Sequence, residues 1–133
     1  MPKISRALVE QIEYVFMVTY VRDQTEDRLL IYVGQDGRRK IVRPEMRRTR
    51  ASVQGDVQLT IQDDDGALLD LAFDLHSHHL MGAFWSGTDN ANERIRGPIF
   101  GVFSWKDNTP TWLFRRFTGE FTDLAYEEVV SGG

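Results

Sequence analysis

Hydrophobic positions along this chain change period several times, and each change predicts an element. In residues 4–13 (ISRALVEQIE), Ile4, Leu8 and Ile12 recur every four positions, a helical stripe, with Ser5 placed to cap its start. Residues 14–21 (YVFMVTYV) are dense in β-branched and aromatic side chains, which suits an extension of that helix or a strand. Residues 29–33 (LLIYV) predict a buried strand, Gln35-Asp36-Gly37 a hairpin turn, and Lys40-Ile41-Val42 the returning partner. Arg43-Pro44 ends that partner, because proline lacks the amide donor of a ladder. Alternation returns over 57–61 (VQLTI), turns at Asp63-Asp64-Asp65-Gly66 and resumes as a long strand over 67–77. A short helix is expected from Ser86 to a stop at Gly97-Pro98, followed by strands over 99–105, 111–117 and 121–124. These elements assemble most simply as one α/β (α+β) domain over 1–133, a curved, mostly antiparallel sheet flanked by one to three helices.

Composition narrows the chemistry more than the fold. A chain of 133 residues, 41% hydrophobic, suits one domain with one core. Its net charge of −4 gives no global pull toward nucleic acid or an anionic membrane. The absence of cysteine excludes disulfides, thiolate zinc or iron–sulfur sites and cysteine nucleophiles, so any metal must be held by histidine, carboxylate, backbone or water. The apolar run 14–21 is too short to cross a bilayer and the N-terminal residues lack a secretory signal, so a cytoplasmic location with no membrane partner is expected.

All three histidines, His76, His78 and His79, fall within four positions. Strand alternation puts His76 and His78 on one face with Asp70, Ala72 and Asp74, and Leu69, Leu71, Phe73 and Leu75 on the other. Two imidazoles two residues apart on one face can both reach a single ion at about 2.0–2.1 Å. Asp74 is placed either to orient His76 or to sit solvated at the strand end, and His79 reads as a loop residue.

The stretch from Asp74 to Asp89 reads DLHSHHLMGAFWSGTD: His76-x-His78, seven residues, then Ser86-x-x-Asp89. This resembles the signature of the JAMM (MPN) metalloprotease family, above all its small bacterial and plasmid members, through 83–89 (AFWSGTD) and the strand segment 100–103 (FGVF). Many relatives carry proline where His79 stands. The resemblance implies a JAMM/MPN-like fold of cytidine-deaminase-like architecture, with Zn2+ held by His76, His78 and Asp89. It implies that Ser86 donates to the developing oxyanion, although its spacing from Asp89 by itself suits a helix cap. It assigns the general base to a glutamate just before the first core strand, which Glu26 matches ahead of DRLLIYVG; Asp27, Glu10 and Glu13 are the alternatives.

The implied reaction is hydrolysis of an amide or isopeptide bond, with a ubiquitin-like protein or a peptide as substrate. A non-catalytic MPN-like binding module is the alternative, and a metal-dependent nuclease a more remote one. A zinc nucleobase deaminase is excluded, because its cysteine ligands and His-x-Glu pair are missing. Residues 38–50, from Arg38 to Arg50, hold seven basic residues against Glu45 alone, a solvated hairpin or a docking patch for an acidic partner. Gly132-Gly133 ends the chain as a diglycine, either a frayed end or a feature resembling ubiquitin-like tails.

Overall fold

Ser5 ends a two-residue strand, β1 (Ile4–Ser5), and starts helix α1 (Arg6–Asp23) by accepting the Leu8 amide on its hydroxyl. The helix takes in all of 14–21, and its buried residues Val9, Ile12, Phe16 and Thr19 keep helical spacing throughout. That burial outweighs the β-branched composition. The expected stripe is rotated: Ile4 belongs to β1 and Leu8 is half-buried. Gln24 closes the helix in the left-handed region at φ 58°, its amide donating to the Tyr20 carbonyl at 2.8 Å. In this computed structural model the described residues are 3–44, 47–48, 53–54, 58–78, 85, 93–106 and 109–132.

Among the described residues the main sheet has seven strands. Six lie along one path, in the order β10 (Phe121–Leu124), β9 (Thr109–Phe117), β8 (Ile99–Lys106), β7 (Leu68–His78), β2 (Arg28–Val33), β3 (Arg39–Val42). The seventh, β6 (Thr60–Gln62), also pairs with β7 and begins later than the alternation over 57–61 suggests. β7 and β8 run parallel, and the other pairs of this sheet are antiparallel. β4 (Arg47–Arg48) and β5 (Val53–Gln54) form a separate short pair. Helix α2 (Tyr126–Val129) leads into β11 (Val130–Ser131), which pairs parallel with β1 and seats Val129, Val130 and Ile4 in the core. Of the short helix expected from Ser86, residues 86–92 lie outside the described residues, and 93–98 form turns and bends.

One irregularity decides which side chains share a face. Ile31 pairs with Phe73 but Tyr32 pairs with Leu71, so Ala72 is an extra residue in β7. Beyond this bulge the alternation reverses, and the expected grouping fails at that end of the strand. Leu69 and Leu71 join Leu30 and Tyr32 on the histidine side, while Phe73 and Leu75 pack with Leu29, Ile31, Ile99, Phe103 and Phe114 beneath α1. Asp70 and Ala72 leave the histidine face for the same reason. On the helix side Gly101 makes room for its neighbours: a Cβ there would meet Leu75 Cδ2 at 2.7 Å and the Phe114 ring at 2.8 Å.

The histidine face is covered as well. Phe100 and Val102 alternate away from α1 yet are 2% and 0% exposed. His76 and His78 thus lie on the side of the sheet opposite the long helix.

Candidate metal centre

His76 and His78 stand two residues apart on β7, 7% and 4% exposed. Arg28 lies opposite His76 on β2, and Val102 and Ser104 lie beside the two histidines on β8. The two Nε2 atoms are 3.2 Å apart and the ring centroids 5.0 Å apart. Imidazole nitrogens this close either share a proton or direct both lone pairs at one cation. Two zinc–imidazole bonds of about 2.0–2.1 Å meeting near the tetrahedral angle would place their nitrogens at about this separation. The spacing is compatible with two ligands of one ion.

Among the described residues no group of three His, Asp or Glu side chains converges on one point. The third expected ligand, Asp89, and the expected oxyanion donor, Ser86, lie outside the described residues, as does His79.

The carboxylate candidates for the base separate by face and by existing bonds. Glu10 and Glu13 are on α1, across the sheet from the histidines: Glu10 pairs with Arg6, and Glu13 accepts the Trp112 indole N–H at 2.8 Å. Asp27 is fully buried and occupied: Oδ1 accepts the Arg28 amide, and Oδ2 accepts the Thr19 hydroxyl at 2.7 Å and Arg43 at 2.6 Å. Glu26 is 3% exposed. The Ser77 amide donates to the Asp27 carbonyl and the Asp27 amide to the Ser77 hydroxyl, so pairing runs past the end of β2. The same register, continued, brings Glu26 level with His78. Asp74 is neither solvated nor free to serve a histidine alone, since Arg28 grips both its oxygens, with Nε at 2.8 Å from Oδ1.

Sequence reasoning missed a second polar cluster on this face. Arg115, paired with Phe100 across β8–β9, is buried between the Trp85 ring at 3.9 Å and the Phe121 ring at 3.8 Å. Its Nε and Nη2 both donate to Glu93 Oε1, at 3.2 and 3.1 Å. Ser104, fully buried beside His78, was missed too. The one local signal for either was a polar residue on an inward position of an apolar strand.

The basic segment is partly spent inside the molecule. Arg43 holds Asp27, Arg39 donates to the Lys3 carbonyl, and Arg38 binds Asp36, Asp63 and Asp65. The Arg38 guanidinium holds the Asp63 carboxyl below its ordinary range. On the histidine face burial raises the Tyr32 phenol above its ordinary value, Asp74 adding to the effect, and the hydroxyl donates to the Gln58 carbonyl at 2.7 Å.

No family model matches the chain, and no curated protein is significantly similar to it. Among solved structures it is similar to a protein from Salinibacter ruber (strain DSM 13855) determined in solution, at 18% identity and a TM-score of 0.58. The match covers 98% of this chain and 91% of that one. The likeness is one of fold: a mixed α+β molecule, mostly strands, around an open sheet. No helix among the described residues is long and apolar enough to cross a membrane.

Proposed function

We propose that the protein is a zinc-dependent hydrolase of amide or isopeptide bonds, a metalloprotease of the JAMM type, acting on a ubiquitin-like protein or a peptide. The observation that carries this reading is the pair of buried imidazoles, whose Nε2 atoms, 3.2 Å apart, have a spacing that suits one ion. The sequence of 74–89, with its resemblance to the small JAMM members, supplies Asp89 as third ligand and Ser86 as neighbour. Zinc bound there would supply Lewis-acid polarisation of a carbonyl and a lowered pKa for coordinated water.

The protein's own residues then have distinct tasks. His76 and His78 are held side by side because both sit on one strand that is paired on both its edges. Glu26 takes a proton from the attacking water and delivers it to the leaving amine nitrogen. Ser86 donates a hydrogen bond to the oxygen that gains charge as the carbonyl carbon becomes tetrahedral, a contribution of about 2.7–4 kcal/mol to the barrier. Asp27 has no such part, being tied to Thr19 and Arg43.

Metal content and cleavage test the reading together. One zinc per chain by elemental analysis is expected, with chelator-sensitive cleavage of a ubiquitin-like protein fused through its C-terminal glycine. Freshly purified protein without a bound transition metal that still cleaves the fusion would refute it.

A further inference from the structure

Helix α1 seats one face on the sheet through Val9, Ile12, Phe16 and Thr19, yet its opposite face is apolar too. Tyr14 is 71% exposed, Val18 39% and Val21 69%. With the exposed Ala7 and Gln11 they form a row at alternating spacings of four and three residues, the seam along which two helices pack side by side. Each residue turns the helix by about 100°, so the row stands opposite Ile12 and Phe16. Single surface hydrophobes are ordinary, whereas a continuous apolar row marks a contact site. The charges of the helix leave it clear. Residues 14–21 contain none, and Arg6 pairs with Glu10 at one end and Arg22 with Asp23 at the other, at 3.5 and 2.9 Å.

We propose that this face of α1 is a homodimer interface: two copies associate through Tyr14, Val18 and Val21, their helices antiparallel about a two-fold axis level with residue 16. The spacing of the row identifies the partner. Gln11, Tyr14, Val18 and Val21 are placed symmetrically about residue 16, so reversing the chain direction reproduces the pattern. A second copy turned end for end sets its Val18 against Tyr14, its Tyr14 against Val18, and a Gln11 against a Val21 at each end. A two-fold interface requires a surface that complements itself in this way. Because each helix end is neutralised by its own ion pair, the two copies oppose no bare charge. Antiparallel helix dipoles add a favourable term. A membrane surface fits less well, since interfacial helices are rich in Lys and Arg, and α1 has two arginines, both paired with acids. The 18 residues make a helix about 27 Å long and about 10–12 Å across, a footprint of roughly 300 Å² per copy. That is below the roughly 800 Å² per partner of a stable interface, so the dimer is reversible, with a Kd in the micromolar range or above. None of this depends on the zinc reading.

Sedimentation velocity from about 1 μM to 1 mM tests the association. The mass of the wild-type protein should rise from that of one chain toward that of two. Val18→Glu should weaken association about 10-fold or more, with the melting temperature of dilute protein unchanged because the position faces solvent in the single chain. Combining it with Tyr14→Lys should restore association, since the reversed copy brings each introduced cation to an introduced carboxylate. The chain has no cysteine, so added thiols report direction. A mixture of Tyr14→Cys and Val18→Cys chains should form the mixed disulfide faster than either self-disulfide. Wild-type protein that stays one chain throughout overturns the proposal, as does a dimer that Val18→Glu leaves intact. A faster self-disulfide of Tyr14→Cys overturns the antiparallel arrangement. A single chain that instead sediments with phosphatidylcholine vesicles gives the row to a membrane and overturns the dimer.

Discussion

Beneath α1 the sheet presents Leu29, Ile31, Phe73, Leu75, Ile99 and Phe103, an apolar surface that meets Val9, Ile12 and Phe16, with one buried charge cluster at its edge where Asp27 holds Thr19 and Arg43. Its other side is buried to a similar degree but carries Asp74, His76, His78, Ser104 and Arg115 among Leu30, Phe100 and Val102. Apolar packing is nondirectional, so the helix side tolerates repacking and supplies stability. Buried polar groups require partners at set distances, so the histidine side fixes positions instead. A sheet can thus divide its work: one face holds the fold together while the other holds buried polar side chains in register.

Substitutions on the two faces should separate stability from metal binding. The largest effect expected is from His76→Ala, which should abolish both stoichiometric zinc and cleavage, read by elemental analysis and assay. Near-wild-type zinc content in that variant would remove the site. Glu26→Gln should keep zinc and lose about 10²–10⁴-fold in turnover, since only proton transfer is removed; if Asp27→Asn instead gave that pattern, the base would have to be reassigned. Phe16→Ala should cost about 3–5 kcal/mol in denaturant unfolding, with zinc affinity of the folded fraction unchanged.

Arg28→Met should cost about 2–4 kcal/mol by leaving Asp74 buried without its guanidinium, and adding Asp74→Leu should restore most of it. The smallest effect belongs to the surface. Asp63 has a lowered folded-state pKa, so its contribution is present above the unfolded carboxylate pKa and fades as pH falls through the folded value. Arg38→Gln should shrink that acid-side loss in a stability-against-pH series, leaving neutral-pH zinc binding unaltered.

What the sequence disclosed was mostly local. The strand LLIYV, the turn closed by Gly37 at φ 84° and the returning strand lie where nearby residues demanded them. The identity of 14–21 was undecided because β-branched composition and helical spacing disagree there, and only contact with the sheet resolves it. The Ala72 bulge was invisible, since one extra residue is defined against a partner strand; hence Leu69 and Leu71 were assigned to the wrong face. At the centre, His76 and His78 could be paired from spacing alone. Separating Glu26 from Asp27 needed Thr19 and Arg43, which are close to them only after folding. Arg115 and Glu93, twenty-two positions apart, lack any sequence pattern that would join them.

Because β7 and β8 point the same way, the chain between them has to travel back along the sheet before the second strand can begin. Such a return path has fixed ends and an adjustable length. Insertions there would leave both imidazoles anchored in a strand that the change never touches.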